Sequence, residues 1–159
     1  MSLEFTRRIM VLLLVVAAAQ AAASVTVDDL LARESQPPGV VFEVIASEDA
    51  LTWAIPQIND HVRALRERWP GLEIAVVSHG REQFALMTRE ANTYAEAHAG
   101  VQQLVENDGV QVHVCETHAS WEDVSPEDFP DYVDVTPAGP VQIRMYQELG
   151  YELVVISGH

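Results

Sequence analysis

The chain predicts one α/β domain, a three-layer sandwich around a mainly parallel five-stranded sheet. Three observations lead there. Five short apolar runs of strand length recur along the sequence. Stretches with helical periodicity separate them, and Gly or Pro punctuates the junctions. Strands alternating with helices imply parallel pairing, because each crossover lays a helix on the sheet.

Residues 1–23 stand apart from this pattern. Arg7-Arg8 precedes an unbroken apolar run, Ile9 to Ala19, and Ala21-Ala22-Ala23 offers a small-residue cleavage site before Ser24. This is the layout of a secretory signal peptide. Ala19-Gln20-Ala21 is a second candidate cleavage site, and an uncleaved N-terminal anchor is the alternative reading. The apolar run falls short of the roughly 20 residues that span a bilayer. Residues 24–39 read as a lead-in segment, with a helical turn over Val27 to Arg33 stopped by Gln36-Pro37-Pro38-Gly39. The α/β domain is assigned to residues 40–159.

Val40 to Ile45 reads as a buried first strand. A helix follows, with Leu51, Ile55, Ile58, Val62, Leu65 and Trp69 on one face. Pro56 implies a kink or a helix start near it, and Pro70-Gly71 ends the helix. Leu72 to Val77 is the second strand, closing at Ser78-His79-Gly80. Arg81 to Thr88 predicts a short helix and Thr93 to Asn107 a longer one, whose core side is Tyr94, Ala97, Val101, Leu104 and Val105. Asp108-Gly109 terminates it. Val110 to Cys115 is the third strand. Glu116 to Pro130 reads as an acidic, irregular stretch, with a helix start at Ser125-Pro126-Glu127-Asp128. Tyr132 to Val135 is the fourth strand. Pro137-Ala138-Gly139-Pro140 leads into a helix carrying Val141, Met145 and Leu149. Gly150 stops it before the fifth strand, Tyr151 to Ile156. Five short strands in this order fit a flavodoxin-like arrangement with right-handed crossovers.

Charge narrows the partners. The 159 residues carry 24 acidic and 9 basic side chains, a net charge of −15, and every basic residue is Arg. Without Glu4, Arg7 and Arg8 of the leader, the balance is 23 against 7, or −16. Such a surface repels phosphate backbones and anionic membranes. Nucleic acid is excluded as a partner, and so is the membrane once the leader is removed. Export places the remaining 136 residues in an oxidising compartment, expected to be a bacterial periplasm.

Chemistry concentrates at two strand ends, Ser78-His79-Gly80 and Cys115-Glu116-Thr117-His118. In a parallel sheet both lie at the carboxyl edge, where open α/β proteins bind ligands. Cys115 is the only cysteine, so it has no partner for an intramolecular disulfide. It is a candidate nucleophile or sulfur carrier. The alternative is a small buried apolar residue. His79, at the end of the second strand on the same edge, is the candidate to support a thiolate, while Glu116, Glu122 and Asp123 oppose one. Trp121 follows the cysteine loop and is placed to cover the site. No metal is assigned. The alternative ligand set is His113-x-Cys115-x-x-His118, in which His113 and Cys115 share a strand face about 6.6 Å apart, for copper or zinc. No cofactor is expected. Ala46-Ser47-Glu48-Asp49-Ala50 after the first strand lacks the glycines and cationic charge of a phosphate loop. A dithiol C-x-x-C and a G-x-S-x-G elbow are also missing from the sequence.

Over roughly Val40 to Ile156 the chain resembles the DsrE/DsrF-like sulfur-relay family. The resembling pieces are Val40-Val41-Phe42, Ile74-Ala75-Val76-Val77-Ser78-His79-Gly80, Gly109 to Cys115, Val135-Thr136-Pro137-Ala138-Gly139-Pro140-Val141 and Gln147-Glu148-Leu149-Gly150-Tyr151. The resemblance implies a small α/β protein that assembles into homo-trimers or homo-hexamers. It implies that Cys115 carries a persulfide, with His79 as the matching strand-end histidine. Thr117, His118 and Trp121 are the expected supporting residues, with His118 and Thr117 donating hydrogen bonds. Sulfur donor and acceptor proteins, or polysulfide, are the implied partners. The chain departs from its relatives in having Glu116 after the cysteine and Trp121-Glu122-Asp123 in the following loop. The expectation is a periplasmic sulfur-relay protein. The rivals are a copper- or zinc-binding protein and a non-catalytic oligomeric interaction module.

Overall fold

The structure, a computed structural model, describes residues 24–157. The signal-peptide assignment lies outside the described residues. Five parallel strands form one sheet in the order β4-β3-β2-β1-β5, where β1 is Gly39–Val44, β2 Glu73–Ser78, β3 Gln111–Cys115, β4 Asp134–Thr136 and β5 Tyr151–Ile156. The α/β, flavodoxin-like arrangement predicted from the sequence is the one observed. No helix among the described residues is long and apolar enough to cross a membrane.

Steps from β1 to β4 run in one direction across the sheet, and the last step returns past β1 to β5. Right-handed crossovers then put the early helices on one face and the last helix on the other. Helices α1 (Val27–Leu31), α2 (Leu51–Arg68) and α3 (Ala95–Gln102) share the larger apolar cluster with Val40, Phe42, Ile74, Val76, Val112 and Val114. Helix α5 (Gly139–Glu148) packs Ile143 and Tyr146 on Val41, Ala75 and Val77 of the opposite face. The six-residue stripe predicted for α2, Leu51 to Trp69, is buried throughout. Pro56 neither starts nor ends α2. The Ala54 amide already bonds to the Ala50 carbonyl, so Pro56 sits in the second turn, where it removes one backbone bond.

Several expectations change. Residues 24–39 belong to the core rather than leading into it: Thr26 caps α1 reciprocally with Asp29, Leu30 is fully buried, and the Val25 amide bonds to Leu153 of β5. The helix predicted over Arg81 to Thr88 is a tight 3₁₀ segment, Arg81–Leu86. Helix α3 widens at its end into a π turn, Gln103–Asn107. A five-residue helix, α4 (Glu116–Ser120), replaces the start of the irregular stretch. Strand β4 begins two residues later than expected, because a turn from Pro130 to Val133 occupies its predicted start. On α5, Val141, Met145 and Leu149 face outward at 50%, 53% and 67% exposure, while Ile143 and Tyr146 face the sheet.

Candidate functional site

Parallel register assembles the site. Val44, Ser78 and Val114 are partners across β1, β2 and β3, and Cys115 pairs with Thr136 of β4. The next residues along β1, β2 and β3 are Ile45, His79 and Cys115. They therefore stand in one row at the carboxyl edge, on the α5 face, with strands about 4.8 Å apart. The His79 amide closes the row by bonding to the Val44 carbonyl at 3.1 Å.

These residues line a cavity of about 650 Å³ together with Ala46, Gly80, Arg81, Thr117, His118, Trp121, Ala138 and Pro140. Cys115 is only 4% exposed, yet it forms part of that wall. Its thiol also starts α4, where the His118 amide donates to Sγ at 3.5 Å. Its own amide donates to Oε1 of the fully buried Gln83 at 2.7 Å. The sulfur is thus held from both sides of its backbone.

His79 is fixed in the same way. Its Nε2 lies 2.8 Å from Glu43 Oε1, an ion pair when the ring is protonated. Its carbonyl accepts from His118 Nδ1 at 2.9 Å. A carbonyl only accepts, so Nδ1 of His118 carries the proton. The His118 ring is wedged between Phe84 and Trp121, at centroid distances of 5.3 Å and 5.5 Å. Trp121 stands 74% exposed at the cavity mouth.

Gly139 packs against His79 and Cys115 from the α5 side. A β-carbon there would lie 2.5 Å from His79 Cβ and 3.5 Å from Cys115 Cβ. Only glycine lets the first turn of α5 approach both side chains. The loops after β1 and β2 are tied together by Glu82, which is fully buried and accepts from the Ala46 amide at 2.7 Å, the Gly80 amide at 2.9 Å and the Ser78 hydroxyl at 2.8 Å. Three donors to one carboxylate offset its desolvation.

Of the predicted residues, Cys115, His79, Thr117, His118 and Trp121 converge on the cavity. The donor roles expected of two of them change. The Thr117 hydroxyl is used on the Pro137 carbonyl at 2.6 Å and the His118 Nδ1–H on His79, so the main-chain amide of His118 is what reaches the sulfur. The alternative ligand set fails on geometry. His113 shares the face of Cys115, but its Nε2 bonds to the Tyr146 hydroxyl at 2.8 Å and its Nδ1 faces Asp134 at 3.8 Å. Among the described residues no group of three or more His, Cys, Asp or Glu side chains is arranged to hold a metal ion. Sequence reasoning missed Glu43, Glu82, Gln83 and Gly139. A carboxylate within the apolar first strand and a Glu-Gln pair before Phe84-Ala85-Leu86 were the available signals. A second groove, of about 540 Å³, lies between α2 and the end of α3 and is lined by Asn59, Arg63, Arg66 and Gln103 among others, with no cysteine or histidine.

No protein-family model and no curated protein matches the sequence. Solved structures match in shape. The chain is similar to MTH1491 of Methanobacterium thermoautotrophicum, a protein of unknown function, at 19% identity and a TM-score of 0.59, over 74% of this chain and 97% of that one. What they share is the fold. The ychN protein of E. coli (13% identity, TM-score 0.48, covering 74% of this chain and 99% of its own) also aligns. So does BT1422 of Bacteroides thetaiotaomicron, of unknown function (9% identity, TM-score 0.49, covering 73% and 94%). A likeness in fold leaves activity to be argued from the site.

Proposed function

We propose that the protein is an exported sulfur carrier of the DsrE/DsrF-like kind, in which Cys115 holds one sulfane sulfur as a persulfide. One observation carries this reading: the chain's single cysteine, though buried, opens onto a cavity beside a histidine held by a carboxylate. A lone thiol that served only as packing would need no such opening.

The exchange is balanced without an added oxidant. The Cys115 thiolate attacks the outer sulfur of a donor persulfide or polysulfide. A bond forms from Sγ to that sulfur, the donor's S–S bond breaks, and the electron pair leaves on the donor sulfur. An acceptor thiolate then attacks the outer sulfur and releases Cys115 as thiolate. His79, held in place by Glu43, stands beside the sulfur, and the His118 amide donates to Sγ. Gly139 lets α5 pack directly against His79 and Cys115. The sequence's leader supports a periplasmic location. The outward stripe Val141, Met145 and Leu149 supports self-assembly, for which the family resemblance implies a homo-trimer or homo-hexamer.

Intact mass spectrometry after incubation with inorganic polysulfide tests the reading. The expected result is a gain of one sulfur on Cys115, reversed by a thiol, and none in Cys115→Ser with an unchanged circular dichroism spectrum and melting temperature. Normal loading of Cys115→Ser would overturn it. The exposed α5 stripe also favours a second reading, a non-catalytic interaction module. A Cys115 that neither alkylates nor gains sulfur in the assembled protein would select that one.

A further inference from the structure

We propose that the sulfur donor of Cys115 is an uncharged sulfane chain, of which a dialkyl trisulfide is the simplest member, rather than a sulfur anion. This rests on the sulfur-carrier reading and specifies its substrate class. Beyond Cys115 and His79 the cavity wall is mainly the apolar Ile45, Ala46, Ala138, Pro140 and Trp121, with Arg81, Thr117 and His118 as its polar members. Ile45 is 55% exposed and Trp121 74%, so a hydrocarbon or sulfur chain laid between them removes apolar surface from water. Divalent sulfur against an aromatic edge is a favourable contact. The volume, about 650 Å³, lies within the range of small-molecule sites and far exceeds one terminal sulfur.

Charge argues the same way. Arg81 is the only arginine on the wall, and its guanidinium is already shared between Glu48 at 3.4 Å and Glu122 at 3.2 Å. That mouth carries two negative charges for one positive. His79, when protonated, is matched by Glu43. The whole chain carries −15 with no lysine. A dianion such as tetrathionate therefore approaches against the field and finds no unpaired cation, whereas a neutral chain is indifferent to it.

The step is a thiol–disulfide exchange. The Cys115 thiolate attacks the central sulfur of R–S–S–S–R, an Sγ–S bond forms and one S–S bond breaks, and the electron pair leaves on R–S⁻, which takes a proton from water. A second thiolate, R′–S⁻, then attacks the outer sulfur of Cys115–S–S–S–R, forming R–S–S–R′ and releasing the Cys115 persulfide with the electron pair. Nothing is oxidised or reduced overall.

The test compares two donors of similar chain length, dimethyl trisulfide and tetrathionate, by the rate at which intact mass spectrometry shows Cys115 modified. Each rate is divided by that donor's rate with N-acetylcysteine, which removes intrinsic reactivity. The expected normalised preference for dimethyl trisulfide is at least about tenfold at low salt, and it narrows at high salt as the repulsion of tetrathionate is screened. Trp121→Ala should slow dimethyl trisulfide several-fold and by more than it slows tetrathionate, narrowing the normalised preference. Equal or faster normalised loading by tetrathionate would overturn the proposal, as would loading by neither small donor. If inorganic polysulfide still loads Cys115 in either case, the carrier reading stands and only the substrate class falls. If nothing loads Cys115, both fall together.

Discussion

One face of the sheet carries α1, α2 and α3 and most of the buried hydrocarbon, whereas the other carries α5 alone. On the first face the strand residues are Val40, Phe42, Ile74, Val76, Val112 and Val114. On the second they include Glu43, His79, His113 and Cys115. The histidine, cysteine and glutamate side chains at Glu43, His79, His113 and Cys115 thus sit where the cover is thinnest. The difference has a physical cause. A single ten-residue helix shields only part of a five-stranded sheet. The uncovered carboxyl edge is wet enough for polar side chains and open enough for a ligand.

The largest stability effect is expected on the thick face. Phe42 is fully buried at the centre of β1 and stacks 6.0 Å from His61 of α2. Phe42→Ala should cost about 3–5 kcal/mol in urea unfolding. Where it remains folded it should still load Cys115 at the wild-type rate. Slowed loading in the folded variant would show that the two faces are coupled, and the contrast drawn between them would fail.

Paired glycines sharpen the comparison with smaller effects. A β-carbon on Gly100 in α3 would lie 2.4 Å from Ile55 Cγ2, and one on Gly139 would lie 2.5 Å from His79 Cβ. Both substitutions to Ala overpack by a similar amount and should each cost roughly 1–3 kcal/mol. Only Gly139→Ala should also slow sulfur loading, by about tenfold or more, because the atoms displaced are those of the site. Equal loading rates in the two variants would remove Gly139 from the site.

The same asymmetry explains which features were legible in the sequence. The α2 stripe was readable because one helical face meets one core, so periodicity and burial agree. On α5 they diverge. Val141, Met145 and Leu149 repeat every four residues and read as a core face, but Gly139, Ile143 and Tyr146 are what the sheet receives. Parallel strand ends placed His79 and Cys115 at one edge from sequence alone, since all strands of such a sheet finish there, but only the observed strand order makes them neighbours. Helix α4 was invisible because five residues carry no periodicity. It forms because Cys115 caps it and Thr117 is tied to Pro137. Glu43 and Gln83 reach their partners across 36 and 32 residues of chain, a pairing only the folded register reveals.

The smallest expected effect compares one histidine from each face. His113, beneath α5, is 7% exposed, and burial pushes its pKa below the ordinary value of 6.5, with Asp134 pulling the other way. His61, half-buried on α2, is shifted down by burial as well, against Asp28 and Asp60. In the unfolded chain both imidazoles take up a proton as the pH falls through about 6.5. In the folded chain they resist until lower pH, so the unfolded state binds more protons in that window. Stability therefore rises with pH across it. The contribution is fully present above about 6.5 and is lost as the pH falls through the folded values. Urea midpoints measured from pH 7.5 to 5.5 should decline in the wild type. The decline should be shallower in His113→Gln and shallower again when His61→Gln is added. His113 also donates to the Tyr146 hydroxyl, which in turn donates to Gln111, so its protonation leaves that chain intact and places the new N–H toward Asp134. The acid response of the thin face should for that reason be a loss of stability without release of α5. Its signature is an unchanged sulfur-loading rate, relative to thiolate fraction, at pH values where the protein is still folded. An unaltered midpoint slope in His113→Gln would show that the buried ring under α5 does not titrate in this range.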